Sequence, residues 1–229
     1  MKSIILTSIL IFGSITASAN DIRKKIFTDI YVTNAWNDPD TRSGTGSSIF
    51  STTAIRKNLP NLFKHLNIKI LLDVPCGDCY WIRTMDLSAV NHYIGADIVP
   101  AMIDANKKQY GGATRTFICG DVVKDVFPQA DLILCRDCLV HLSYQDALQA
   151  IQNFKKSGAK YLLATTFPRH GNTDIQTGGW RALNLEQAPF YFPAPIALIN
   201  EECLKDGGYF SDKSLGLWCL DDLLINFPN

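Results

Sequence analysis

Three acidic residues stand where short apolar runs end, and their spacing sets out a binding site. Ile68, Ile70, Leu71 and Leu72 form a run of buried-strand type that stops at Asp73 and passes into Val74-Pro75-Cys76-Gly77-Asp78, a stretch that cannot continue a strand. Tyr93-Ile94-Gly95-Ala96 ends on Asp97, about 20 residues after that turn, where an open α/β sheet places the carboxylate that accepts ribose hydroxyls. Thr114 to Cys119 runs into Gly120-Asp121-Val122, which can offer a carboxylate to an adenine amino group and a backbone N–H to its ring. The turn carries one glycine, Gly77, where a dinucleotide fingerprint needs three. The pattern therefore suits an adenosine ligand without a pyrophosphate. Asp73, Cys76, Gly77, Asp78, Asp97, Ile98, Gly120, Asp121, Val122 and Cys135 are the expected cofactor contacts, with backbone N–H groups of the turn and of the helix start after it facing the ligand.

A second group follows the next apolar run, Ala130 to Cys135. Arg136, Asp137 and His141 would stand at the same end of the sheet, and Asp137 or His141 could act as a base if an acceptor must lose a proton. Arg42-Ser43-Gly44-Thr45-Gly46 forms a small-residue loop whose backbone can approach a ligand closely. Trp180 and Arg181, in a long aperiodic segment from 167 to 195, would close over the acceptor with neighbouring aromatics. Ser43, Gly44, Gly46, Trp180 and Arg181 are thus the expected acceptor-side contacts.

These residues need elements to position them. Asp21 to Asp40 reads as a helical or extended lead-in anchored by Ile26, Ile30, Tyr31 and Trp36. A helix capped by Ser51 or Thr52 carries Ile55 and Leu59 and restarts at Pro60. Pro100 opens another helix that Gly111-Gly112 closes, and Ser143 to Asp146 reads as a capping box for a helix ending at Ser157-Gly158. Tyr161 to Thr165 is a fifth strand. Ile196 to Asn200 and Ser214 to Leu220 read as an antiparallel closing pair. Strands alternating with helices at this spacing imply a doubly wound, mostly parallel α/β sheet in a single domain spanning 20–229.

With Asp73-Val-Pro-Cys-Gly-Asp78, Asp97 and Gly120-Asp121 at successive strand ends, the chain resembles the class I S-adenosylmethionine-dependent methyltransferases from about residue 50 to 166. Further stretches, Cys135-Arg-Asp-Cys-Leu-Val-His-Leu142, Thr177-Gly-Gly-Trp-Arg181 and Asp212-Lys-Ser-Leu-Gly-Leu-Trp218, look like those of uncharacterised bacterial members. The resemblance implies S-adenosylmethionine as cofactor, Gly77 at the methionine moiety with Asp73 and Asp78 supporting it, Asp97 at the ribose and Asp121 at the adenine. It departs from the commoner pattern at Cys79, where a second glycine would stand. It also implies strand order 3-2-1-4-5-7-6, which would bring the pairs Cys76/Cys79 and Cys135/Cys138 to one crevice. Reduced packing is the leading reading of these thiols; a Cys79 to Cys138 disulfide or a zinc site are lesser alternatives, and no metal is assigned.

Composition bounds the rest. A chain of 229 residues with 47% hydrophobic side chains can bury a full core. Lys plus Arg and Asp plus Glu are 22 each, so no global field draws nucleic acid, and a small-molecule or glycan acceptor is the expected partner. Lys2, the apolar run from Ile4 to about Ile15 and Ala17-Ser18-Ala19 read as a signal peptide over 1–19, which would export the protein to the periplasm or beyond, even into another cell; a membrane tether or a cytoplasmic protein are the alternatives. No span is expected in the mature chain. The seven cysteines, an odd number spread through a large domain, do not resemble a disulfide scaffold.

Overall fold

The computed structural model describes residues 19–225, so the leader expected over 1–19 lies outside the described residues apart from Ala19. Seven strands form one sheet in the order β3-β2-β1-β4-β5-β7-β6: β1 Ile70–Asp73, β2 His92–Asp97, β3 Arg115–Cys119, β4 Leu132–Cys135, β5 Tyr161–Thr166, β6 Ala197–Asn200 and β7 Ser214–Cys219. The first five are parallel, while β7 runs antiparallel to both β5 and β6. This is the doubly wound architecture expected, with its antiparallel closing pair at the edge.

Strand pleating divides the core in two. Leu71, Leu132 and Leu134 face one cluster with Ile55, Leu59, Phe63 and Ile103, carried by helices α2 (Thr53–His65) and α3 (Pro100–Tyr110). Leu72 and Ile133 face the other, with Ala147, Leu148, Ile151 and Phe154 of a later helix, Tyr144–Lys156. Helix α2 continues through Pro60 and does not restart there. Burying Ile55, Leu59 and Phe63 completely, at about 1.5–3 kcal/mol each, outweighs the ~3 kcal/mol cost of an internal proline. Ser143 caps Tyr144–Lys156 by accepting the Asp146 N–H, yet the reciprocal half of the expected box is missing, because the Asp146 carboxylate is taken by Arg23 and Thr177.

The lead-in is a helix, α1 (Ala19–Thr33). The 167–195 segment is mostly packed: Leu183, Leu185, Phe190 and Phe192 are buried, and the Trp218 indole donates to the Pro193 carbonyl at 2.8 Å. Among the described residues no helix is long and apolar enough to cross a membrane.

Candidate active site

A cavity of about 990 Å³ opens beyond the C-terminal ends of the parallel strands. Asp73, Cys76, Gly77, Asp97, Ile98, Gly120, Asp121 and Val122 line it, with Ser43, Gly44, Gly46, Arg136, Asp137, His141 and Trp180. Three residues expected there do not. Asp78 points into the preceding loop, where its carboxylate accepts hydrogen bonds from Thr41 Oγ1 (2.8 Å), the Arg42 N–H (2.8 Å) and Ser43 Oγ (3.0 Å). It ties down the loop that forms the wall. Cys135 is buried in the core behind the sheet end, and Cys138 is the cysteine of that pair on the wall. Arg181 lies beneath the wall, its Nη1 donating to the Leu139 and Val140 carbonyls at 3.2 Å and its guanidinium 5.2 Å over the Tyr144 ring. It supports the turn that carries His141.

The opening turn needs its glycine. Gly77 has φ +54, and a Cβ there would fall 2.1 Å from Ser43 Oγ. No α-helix follows; the chain makes only a short helical turn at Ile82–Thr84. Cys79 adopts φ +58, and Asp78 takes the Tyr80 N–H at 3.2 Å, so a local side-chain bond replaces the expected helix start. The turn is instead stitched to β2: the Cys76 N–H donates to the Ala96 carbonyl at 2.8 Å and the Gly77 N–H to Asp97 Oδ2 at 3.2 Å.

The acids differ in state. Asp73 accepts the Tyr93 hydroxyl at 2.6 Å, and burial, opposed by that bond and by Arg136, pushes its carboxyl up to about 7. Burial likewise raises Asp97 to about 6, against the N–H groups of Val99 and Gly77 that it accepts. Asp121 is engaged on both oxygens, Oδ1 by the Val123 N–H at 2.9 Å and Oδ2 by Arg23 at 2.9 Å. Arg23, Phe27 and Tyr31 of α1, with Trp36 just beyond it, complete this side of the cavity.

At the other end, four charges are matched two against two. Arg136 grips Glu201 through Nε (3.1 Å) and Nη2 (2.6 Å), and Lys213 Nζ lies 2.6 Å from Asp137 and 3.3 Å from Glu201. Buried guanidinium groups stay charged, and Arg136 is committed to Glu201 and the Gly46 carbonyl, so it holds the wall and exchanges no proton. Burial opposes ionisation of Asp137, but Lys213 and Arg136 outweigh it and hold the carboxyl well below the usual carboxylate range. Asp137 is therefore a poor base at neutral pH. His141 is the better one. Its Nδ1 lies 2.7 Å from the Gly179 carbonyl, which only accepts, so the proton sits on Nδ1 and the Nε2 lone pair is free. Trp36 stacks on the ring at 5.0 Å, and burial lowers the imidazole from its ordinary value, keeping it neutral.

The seven cysteines are unbridged, and burial pushes the Cys76 and Cys135 thiols up. Glu201, Lys213, Arg23 and Phe210 escaped the sequence reading. Glu201 directly follows an apolar strand, as the three expected acids do, and that signal could have found it.

Residues 71–158 match the family model described as a methyltransferase domain. A search of curated proteins finds no match. Among solved structures the chain is similar to the N-methyltransferase NodS from Bradyrhizobium japonicum WM9, with 13% identity, a TM-score of 0.55 and 74% of this chain and 96% of that one covered. The same protein in complex with S-adenosyl-L-homocysteine aligns with 14% identity and a TM-score of 0.50, covering 62% and 73%. Phosphoethanolamine N-methyltransferase 1 from Haemonchus contortus, in complex with phosphoethanolamine and S-adenosylhomocysteine, aligns with 16% identity and a TM-score of 0.52, covering 71% of this chain and 36% of that one. At these identities the likeness shows the fold alone. Family match and architecture agree: residues 71–158 are matched as a methyltransferase domain, and they hold the first four strands of the doubly wound sheet that the similar structures share.

Proposed function

We propose that the protein methylates an oxygen or nitrogen of a small molecule or terminal sugar seated beside His141. The observation that carries this reading is the continuity of one cavity from the strand-end acids to the imidazole. Ligand sites commonly occupy about 300–1,000 Å³, so a cavity at the top of that range has room for a cofactor and a second molecule.

The residues fit S-adenosylmethionine. Asp73 and Asp97 are desolvated acids on the wall, a setting that favours a ligand bringing cationic and hydroxyl groups and disfavours a phosphate. Asp97 spends one bond on each oxygen and keeps lone pairs for ribose hydroxyls. Asp73 and Gly77 would hold the amino-acid end, and Ile98, Val122 and Asp121 the adenine, with Arg23 and Phe27 closing over it. Bound there, the cofactor supplies an electrophilic methyl group on a sulfonium. The chain's own work is alignment, exclusion of water and removal of one proton: Trp36 and the Gly179 carbonyl orient His141, and its free Nε2 accepts that proton.

Export belongs to the same proposal. The leader read over 1–19 would be removed, and the seven thiols must then tolerate an oxidising setting or reach a reducing one that supplies the cofactor. Fractionation with N-terminal sequencing tests it, and an uncleaved cytoplasmic protein would refute it.

Transfer of tritium from methyl-labelled S-adenosylmethionine to small-molecule fractions of a cell extract tests the activity. Labelled product lost in His141→Gln supports the reading; binding of the cofactor with no turnover in any fraction would favour a sensor.

A further inference from the structure

We infer that the methyl acceptor is a phenol, its ring held by the aromatic wall of the cavity and its hydroxyl presented to His141. The inference rests on the methyl-transfer reading above and names the class of acceptor for that site.

The wall is built from Phe167, Trp180 and Phe210, all of which line the cavity. They pack edge to face: Trp180 on Phe210 at 5.0 Å, Phe167 on Phe210 at 5.8 Å and Phe167 on Trp180 at 6.1 Å. Trp180 is nonetheless 48% exposed, so much of its indole surface is left open. A large ring half-uncovered beside the buried Phe167 and the half-buried Phe210 is a stacking platform, because aromatic rings prefer partners whose centroids lie about 4.5–7 Å away. A second layer keeps the platform still. His170 stacks on the back of Phe210 at 5.4 Å, and its Nδ1 lies 3.1 Å from the buried Asp212 carboxylate.

The charges nearby argue against an ammonium acceptor. Asp137 and Glu201 are balanced one for one by Lys213 and Arg136, so neither anion of this cluster is left uncompensated to draw a cation. Glu202 and Asp206 stand exposed on the cavity wall, where water and salt screen them. Acidity points the same way. A phenolic hydroxyl titrates near 10, whereas an aliphatic alcohol is about as weak an acid as water, roughly 15.7. The pKa gap to a neutral imidazole is thus several units smaller for the first, whose proton is the easier to relieve during methyl transfer. In the step, the phenolic proton passes to His141 Nε2 and an oxygen lone pair forms the O–CH₃ bond. The C–S bond of the sulfonium breaks with its electron pair staying on sulfur, and the imidazolium later returns the proton to water.

The test presents the full-length protein and S-adenosylmethionine with 4-methylphenol, catechol and 2-naphthol. Cyclohexanol, trans-1,2-cyclohexanediol and 4-methylbenzylamine serve as twins, and release of S-adenosylhomocysteine is followed. The expected result is turnover of at least one phenol with kcat/KM about tenfold or more above every twin. Trp180→Ala should raise KM for that phenol about tenfold with a smaller change in kcat, and Trp180→Phe should restore most of it. Turnover of a saturated or amine twin as fast as its phenol would overturn the inference. So would failure of all three phenols to react or to bind while wild-type protein binds S-adenosylhomocysteine in calorimetry, an outcome that spares the methyl-transfer reading. Absence of S-adenosylhomocysteine binding would overturn both.

Discussion

Arg23 and Asp121, 98 residues apart in the chain, meet at 2.9 Å on the wall of the cavity, and the same guanidinium reaches Asp146 at 3.3 Å. Both carboxylates are largely withdrawn from solvent, so the contact fastens the first helix over the Gly120–Val122 end of the cavity. Arg23→Met leaves two acids facing each other without a cation. Removing one partner of a buried pair typically costs about 3–5 kcal/mol, and the residual exposure here places the expected loss of stability at or below the lower end. Cofactor binding should weaken by about tenfold. Calorimetry with S-adenosylhomocysteine and hydrogen exchange of the first helix would check both.

Asp97 holds the Gly77 turn and keeps lone pairs for the ligand. Hydrogen bonds to a charged group contribute about 1.5–3 kcal/mol each, so Asp97→Asn should weaken S-adenosylhomocysteine binding by about 10- to 100-fold. An unchanged dissociation constant would remove Asp97 from the site.

The Gly179 carbonyl leaves the His141 lone pair on Nε2. His141→Gln should lower kcat by about 10²- to 10⁴-fold with a much smaller effect on KM for S-adenosylmethionine. Because burial lowers the imidazole, the acid limb of the wild-type kcat profile should lie below the ordinary value of 6.5. A limb above 6.5, or one that persists in the variant, would assign the proton to another group.

Asp73 and Asp97 are raised to about 7 and about 6 from the ordinary 3.8. Between pH 4 and 7 the folded protein therefore binds more protons at these sites than the unfolded chain, and their contribution to stability falls as pH rises. Thermal unfolding of the ligand-free protein should show this decline, and Asp73→Asn should flatten it in the upper part of the window. A ligand that brings positive charge binds best with Asp73 ionised, so affinity for S-adenosylmethionine should rise through pH 7 in the wild type and not in Asp73→Asn.

Much of the site was legible because its acids close apolar strands. Asp73, Asp97 and Asp121 each sit at or just past the end of a short strand, and such a pattern survives without knowledge of tertiary contacts. What lay hidden was partnership at a distance. Nothing near Arg136 in the chain announces that Glu201 and Lys213, 65 and 77 residues on, will neutralise the cluster and turn an apparent catalytic arginine into a structural one. Asp78 misled for a local reason: it binds the Thr41–Ser43 loop and the Tyr80 N–H, which removes it from the wall and suppresses the helix expected after the turn. Pro60 misled because propensity lost to burial of the α2 face. The 167–195 segment looked like a lid for want of periodicity, yet its leucines and phenylalanines are core, and only Phe167 and Trp180 touch the cavity.

The central claim is that the strand-end acids bind S-adenosylmethionine and not a dinucleotide. Calorimetric titration of the protein with S-adenosylmethionine, S-adenosylhomocysteine and NAD tests it most directly. The structure predicts one-site binding of both sulfur ligands, weakened in Asp97→Asn, and no heat from NAD. Binding of NAD without either sulfur ligand would contradict the account.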